Sequence, residues 1–368
     1  MVVLNLKPKF KGLTNKQVKE IRKELDEAKN PLYFFHDDAD GLASFLLFYR
    51  YIKEGHGIVI KTTPKVDAKF LRKVEEYRPD KIFVLDIAMV DQEFIDKAKT
   101  KIIWIDHHEP LERHGNIKYY NPMLNKKGDN TPVTALCYQV VKRDLWIAGI
   151  GAIGDWFIPN YIKEFSKKYP KLLHKPLKDP EVALFTTNAG KMVDVFGFIL
   201  KGRTNEVMKS VKILTRIKEP EEILEQTTPA GKYIYKKYKK LDEDYQKMLK
   251  NALKDKQEDD KLIVFTYTHD KMSYTKSIAN EMLHRFPTKI TLIGRVKSGE
   301  VKISLRSKKK PVLPILKKAL QGIEGYGGGH EYACGANVKK YDFDKFIEHI
   351  RNQLWFLMLG NLFEIKDF

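Results

Sequence analysis

The chain has 368 residues, with 67 Lys and Arg against 48 Asp and Glu for a formal charge of +19. That length suits about two domains, each able to bury its own core, and 43% hydrophobic beside 31% charged residues argues against wholesale disorder. No apolar run reaches the roughly 18 residues of a membrane span, so no membrane partner is expected. The N-terminal MVVLNLKPKFKGLTNK lacks a signal-peptide profile. Two cysteines, Cys137 and Cys334, make neither a disulfide framework nor a thiolate zinc site, and both read as buried fillers. A reducing cytoplasm is therefore the expected location. Scarce glutamine beside abundant Lys and Glu leans toward a thermophile. The surplus positive charge leaves two readings open, a polyanionic partner or a solubility device.

Three short apolar runs share one design. Pro31 to Phe35 leads into His36-Asp37-Asp38-Ala39-Asp40-Gly41, Lys81 to Leu85 into Asp86, and Lys101 to Ile105 into Asp106-His107-His108. Such continuous apolar stretches predict strands buried on both faces of a parallel sheet. Helix-period segments lie at Leu42–Lys53, Lys65–Tyr77 and Gln92–Lys99, and Gly57–Ile60 reads as a further strand. The alternation predicts a doubly wound, mostly parallel α/β domain. Its acidic clusters fall at the carboxyl ends of the strands, where such sheets hold ligands. Thr134 to Ala152 reads as one helix, closing at Gly154-Asp155-Trp156, and Lys232 to Lys254 reads as a long helix joining two lobes. From Lys261 a smaller α/β unit begins, with strands at Leu262–Tyr267, Ile290–Ile293 and Val301–Leu305. It ends in Gly325-Tyr-Gly-Gly-Gly-His330 and a C-terminal helix from Phe343 to about Leu359. The expected division is an N-terminal helical extension (1–30), a catalytic metal-binding domain (31–200), a helical connector (201–258), a substrate-binding domain (259–345) and a C-terminal helix (346–368).

Asp38, Asp40, Asp86 and Asp106 converging on one crevice would repel one another unless cations neutralise them. Histidine mixed with aspartate suits a borderline divalent ion such as Mn²⁺. With Asp155 and His107 there are enough ligands for two ions sharing a carboxylate, the usual device for phosphoester hydrolysis. A single Asp at a strand end is commonly a helix N-cap; three consecutive strand ends carrying His and Asp are poorly explained by capping.

The glycines 327–329 would let backbone amides approach a phosphate, with His330 as an added donor, or they form a turn or hinge. Arg306 offers a fork for phosphate oxygens or a surface ion pair. From Arg295 to Leu320 there are nine Lys or Arg and one Glu, with Lys308, Lys309 and Lys310 directly after Arg306 and Ser307. In Lys232–Lys240, tyrosines interleave with lysines; packing of Tyr235 and Tyr238 against a lobe is favoured over base stacking. Trp156 and Phe157 read as core, with a base platform as the alternative.

His36-x-Asp38-Ala39-Asp40-Gly41, Asp86, Asp106-His107-His108 and Gly154-Asp155 together resemble, in order, the four motifs of the DHH phosphoesterases. Ser304-Leu-Arg306-Ser307 and Gly327-Gly328-Gly329-His330 resemble the associated domain of the RecJ-like branch, closest to short archaeal RecJ-like and oligoribonuclease-like proteins. The resemblance implies a two-domain α/β fold and a hydrolase of phosphodiester bonds in single-stranded RNA or DNA, releasing mononucleotides from a chain end, with a tilt toward 3′→5′. It implies His36 and Asp38 on a first ion with Asp86 bridging, and Asp40, His107 and Asp155 on a second. Asp106 would orient a histidine, and His108 would contact the scissile phosphate or assist the leaving oxygen. The nucleophile would be a hydroxide activated by two Mn²⁺ ions, with Mg²⁺ or Co²⁺ as substitutes. Ser304, Arg306, Ser307, Lys308, Lys309, Lys310, Gly327, Gly328, Gly329 and His330 would hold the substrate, against the metals from the opposite lobe.

The tight His-x-Asp spacing departs from the His-x-x-x-Asp of the family's pyrophosphatases, and the length leaves no room for the extra oligonucleotide-binding domain of bacterial RecJ. Alternatives are an oligoribonuclease (nanoRNase), a 3′-phosphoadenosine-phosphate phosphatase, a cyclic-dinucleotide phosphodiesterase, or a replication-associated scaffold. Expected partners are single-stranded RNA or DNA or short oligonucleotides, with replication or repair proteins a further possibility, the chain acting as monomer or dimer.

Overall fold

The computed structural model describes residues 12–61, 65–254, 261–268 and 272–363, with side chains described as far as 354. Residues 1–11 of the expected N-terminal extension, 255–258 of the connector and 364–368 of the terminal helix lie outside that set. The chain divides into two compact units, 1–238 and 239–368, and the division falls within the helix Pro229–Lys254.

In the first unit the strands are β1 (Leu32–His36), β2 (His56–Ile60), β3 (Lys65–Val66), β4 (Lys81–Leu85), β5 (Met89–Val90), β6 (Lys101–Ile105) and β7 (Ile117–Tyr120). Five of them form a parallel sheet in the order β2-β1-β4-β6-β7, while β3 and β5 form a separate parallel pair. The apolar runs fill both faces, as a doubly wound sheet requires. On one face Phe34, Val84 and Trp104 are buried among Ile95, Phe94 and Val74. On the other, Phe45 stacks on Phe35 at 4.6 Å and meets Tyr33 edge-on, and Phe48 meets Phe83. The strand order reverses between β1 and β4, which places the ends of those two strands, carrying His36 and Asp86, at the topological switch point.

The amino end of this sheet is also charged. Lys81 begins β4, Lys101 begins β6 and Lys118 lies in β7. All three reach Glu24 of the helix Asn15–Asp26, Lys81 at 3.0 Å and Lys118 at 3.2 Å.

Several boundaries differ from the sequence reading. The expected single helix Thr134–Ala152 is two, Val133–Val141 and Leu145–Gly154, broken where Lys142 and Asp144 take left-handed backbone. Asp144 is drawn into an ion pair with Arg50 at 2.6 Å, which offsets the loss of helix continuity there. Lys65–Tyr77 is a short strand, a 3₁₀ turn at Ala68–Phe70 and a helix only from Leu71 to Tyr77. The C-terminal helix runs on to Phe363.

In the second unit β8 (Leu262–Thr268), β9 (Ile290–Lys297), β10 (Glu300–Arg306), β11 (Gly325–His330) and β12 (Ala333–Lys339) make one sheet in the order β11-β12-β10-β9-β8. Only β8 and β9 pair in parallel. One face carries the core, where Leu292, Ile303, Leu305, Ala336 and Val338 pack under the helices Leu313–Ala319 and Phe343–Phe363. The glycine run is neither a turn nor a hinge. It is an extended edge strand, paired residue for residue with β12.

Candidate metal centre

The chain leaves β1 at His36 and turns into the helix Ala39–Ile52. Asp38 is the N-cap of that helix, its Oδ1 accepting from the Gly41 amide at 3.1 Å, and Asp40 lies in its first turn. The turn leaving the strand therefore presents the His-x-Asp-x-Asp set. Gly41 is required there, because a Cβ would stand 2.5 Å from the His36 carbonyl oxygen.

Asp86 follows β4 with a left-handed φ of +58°, and its amide donates to the Ile105 carbonyl at 3.1 Å. Left-handed backbone is tolerated by Asp better than by most residues, and here it turns a buried carboxylate across the strand ends. Asp86 Oδ2 lies 3.4 Å from His36 Nδ1 and its Oδ1 lies 3.4 Å from His107 Nε2. One carboxylate thus addresses two histidines on two different strands.

Among the described residues, three groups bring ligand atoms within 4.8 Å of one another: His36, Asp38 and Asp86; Asp40, His107 and Asp155; and Asp86, His107 and His108. Every residue expected to hold a metal falls in the first two, and Asp86 and His107 link the sets. Asp40 is buried and aimed by the start of the helix Val133–Val141, accepting from the Val133 amide at 2.9 Å and the Thr134 amide at 2.7 Å.

The electrostatics are those of a site lacking positive charge. Burial alone would push His36 and His107 below the ordinary histidine value. Asp38 and Asp86 overcome this for His36, as do Asp155, Asp86 and Asp40 for His107, and both imidazoles are held well above it. Burial raises Asp40 well above the usual carboxylate range, and Asp86 and Asp155 add to the shift.

A divalent ion fits this donor set on one further observation. His36 Nδ1 is buried and makes no hydrogen bond, although Asp38 Oδ2 lies 3.0 Å away. A divalent ion would displace the imidazole proton, and the freed nitrogen, set between the Asp38 and Asp86 carboxylates, suits shared coordination.

Asp106 is fully buried and stands behind this cluster. Its Oδ1 is 2.7 Å from His108 Nδ1 and its Oδ2 accepts from the His108 amide at 3.0 Å. Burial alone would lower His108, and the Asp106 carboxylate holds it above its ordinary value. Asn121 fixes the same loop by donating to the His108 carbonyl at 2.8 Å.

One feature of the centre escaped the sequence reading and another departs from its favoured half. Asp37 lies 3.6 Å from His36 Nε2, and burial raises its carboxyl; the alternating spacing directs attention past it. Trp156 is not core. It is 37% exposed, has a left-handed φ of +56° and meets Phe185 edge-on at 5.9 Å, directly after Asp155. That exposure goes against the expected core position and leaves the alternative of a base platform beside Asp155 open. Tyr238 packs on Phe198, as the packing reading of that helix anticipates, whereas Lys237, expected to be solvated with the other lysines, donates to the Ile199 and Glu206 carbonyls and to Ser210 Oγ.

The expected substrate-holding residues lie in the second unit. Strand pairing sets Arg306, Ala333 and His330 in one row across the sheet and Ser304, Gly335 and Gly328 in the next. Arg306 pairs with no carboxylate among the described contacts. Its Nε donates to Asn280 Oδ1 at 3.1 Å and Nη1 donates to the Leu305 and Cys334 carbonyls, while burial lowers the guanidinium to about 10. Ser307 Oγ accepts from the Lys310 amide at 3.0 Å, which turns the chain at Lys308 and Lys309, both exposed. Ser304 is buried, Gly327 and Gly329 lie on the edge strand, and His330 is exposed.

A DHH family, N-terminal domain model matches residues 32–153, and a DHHA1 domain model matches residues 259–355. No curated protein matches the sequence. Among solved structures, RecJ in complex with Mn²⁺ from Thermus thermophilus aligns over 94% of this chain with a TM-score of 0.66 and 17% identity. The chain spans 56% of that protein's length. An exonuclease RecJ bound to manganese aligns over 93% of this chain and 95% of its own, with a TM-score of 0.62 and 18% identity. The DHH domain of a protein described as a member of a ribosomal-protein family gives 0.65 at 14% identity, over 92% of this chain and 89% of its own. These likenesses show a RecJ-like fold. With both family models on one chain, in order, and the four acidic motifs brought together at one switch point, the chain belongs to the DHH phosphoesterases.

Proposed function

We propose that this protein is a divalent-metal-dependent exonuclease that hydrolyses single-stranded RNA or DNA from a chain end to mononucleotides. The observation that carries the reading is the linked pair of His/Asp groups, with the two oxygens of Asp86 directed to His36 and His107. His36, Asp38 and Asp86 would hold one ion and Asp40, His107 and Asp155 the other. Bound there, two divalent ions, Mn²⁺ by the donor chemistry, would activate water and neutralise charge on the phosphoryl group.

The chain's own residues do the rest. Asp106 fixes the His108 tautomer through Nδ1, leaving Nε2 to face the scissile phosphate or to protonate the leaving oxygen. Gly327, Gly328 and Gly329, with Arg306 and His330, would take a substrate phosphate. The short-chain resemblance tilts polarity toward 3′→5′, and a setting in replication or repair is consistent with a strand substrate. Two of the structural relatives are RecJ proteins, one of them described as an exonuclease.

The test is product analysis on RNA and DNA strands of graded length, labelled at either end, with Mn²⁺. Mononucleotides should accumulate from one end of strands of all lengths. Cleavage of dinucleotides alone would overturn the exonuclease reading in favour of a small-substrate phosphodiesterase.

A further inference from the structure

The second unit's sheet has one face given to the core and one that is only partly covered. On the latter, the helix Thr275–Arg285 sits over the row at Thr291 and Arg306, Thr291 donating to the Ala279 carbonyl and Arg306 to Asn280. Toward β12 and β11 the face is bare. A Cβ on Gly328 would meet nothing within 4 Å, and one on Gly335 only the Ile303 carbonyl oxygen at 3.7 Å.

The row beside these glycines runs Tyr326, Asn337, Lys302, Arg295 across four strands. Side chains two residues apart share a face, so this row adjoins the glycine row about 7 Å away. Tyr326 is 72% exposed and Lys302 is exposed, while Arg295 is half-buried with an Nε that has no hydrogen-bond partner. The acidic residue of the following row, Glu300, is already engaged by Lys339 at 2.9 Å and Asn337 at 2.7 Å. Two cations and an exposed ring therefore stand on an open sheet face beside a ledge with no side chains.

We propose that this row is a platform for single-stranded nucleic acid, with Tyr326 stacking a base and Lys302 and Arg295 pairing with backbone phosphates. The proposal rests on the nuclease reading and adds to it a strand-binding surface beyond the residues that hold the reacting phosphate. The chemistry selects the occupant. Positive charge beside an exposed ring on a flat sheet matches a polyanion that carries unstacked bases. A dinucleotide held by the glycine strand has no need of the neighbouring row.

The experiment measures binding of a fluorescent strand of ~20 nucleotides, longer than common single-strand sites of about 4–16, to the full chain in EDTA. Hydrolysis of a dinucleotide with Mn²⁺ is measured separately. Tyr326→Ala should weaken binding of the normal strand about tenfold, leave binding of an abasic strand unchanged and leave dinucleotide turnover within twofold of wild type. Tyr326→Phe should restore strand binding. Lys302→Ala should flatten the dependence of log affinity on log salt by about 0.7, the value for one phosphate on a single strand. Equal losses on normal and abasic strands, or an unchanged salt slope, would overturn the platform. So would a tenfold loss on the dinucleotide itself. Failure of the wild type to hydrolyse any oligonucleotide would count against the nuclease reading, while the binding arms still read the platform.

Discussion

The two ends of the parallel sheet are both densely charged, and they solve the problem of charge in opposite ways. At the amino end one buried carboxylate, Glu24, receives three lysines from three successive strands of the sheet. At the carboxyl end Asp38, Asp40, Asp86 and Asp155 crowd around the imidazoles of His36 and His107, and both imidazoles are held well above the ordinary histidine value. The first cluster is complete within the chain. The second is a crowd of carboxylates whose mutual repulsion shows in the raised Asp40 carboxyl. Charge density alone therefore does not mark a site; a deficit of counter-charge in a buried cluster does.

The largest test of this contrast is Asp86→Asn. Loss of the carboxylate that addresses both histidines should lower turnover of a labelled strand by at least about 10³-fold, since each lost ~1.36 kcal/mol of transition-state stabilisation is tenfold. The same change removes one of several repelling charges, so the melting temperature in EDTA should hold or rise. A fall in stability would mean that the acidic cluster is structural, like its counterpart at the other end. Added Mn²⁺ should stabilise the wild type by ~2.7 kcal/mol at a hundredfold excess over Kd and so raise its melting temperature. It should do so far less for Asp86→Asn.

Asp106→Asn tests the layer behind the cluster. Asp106 positions His108 and does not join the metal groups. Its replacement should lower kcat by about 10–100-fold, the range for groups that orient an active-site histidine, with KM little changed. A rise in KM at constant kcat would assign His108 to substrate binding alone.

The carboxyl end was legible in the sequence because local rules place it. A buried parallel strand must expose its next residues at the sheet edge, so apolar runs ending in His36, Asp86 and His107 announce a shared crevice. The glycine strand was less legible: glycine is a poor strand former, and only pairing with Ala333–Lys339 reveals that Gly325–His330 is extended. The strand Ile117–Tyr120 lies at the sheet edge and lacks a continuous apolar run, so it gave no strand signal. Glu24 was invisible for a different reason. In Lys23-Glu24-Leu25-Asp26-Glu27 it reads as one more solvated helix charge, and nothing local says that this one faces the sheet while Glu27 remains exposed. Long-range ion pairs are set by packing, and packing is not written in the neighbouring residues.

Glu24→Gln asks whether the amino end is as purely structural as the comparison holds. Burial would raise the Glu24 carboxyl, but hydrogen bonds from Lys101, Lys81 and Lys118 reverse this and lower it from 4.5 to about 2. Because Lys101 and Lys118 remain partly open to water, the expected loss is about 1–3 kcal/mol at neutral pH, less than for a fully buried pair. Such a loss lowers Tm by about 2–10 °C, with activity per folded molecule unchanged. The sign of the pH dependence follows from the lowered value. A carboxyl depressed in the folded state contributes its full stability above the unfolded pKa and loses it as pH falls through the folded one. The gap in Tm between wild type and Glu24→Gln should thus be constant from about pH 8 to pH 5, shrink below about 4.5 and nearly close by about 2. A gap that persists at the acid end would trace the loss to packing of the Glu24 side chain and leave the lysines without a structural role.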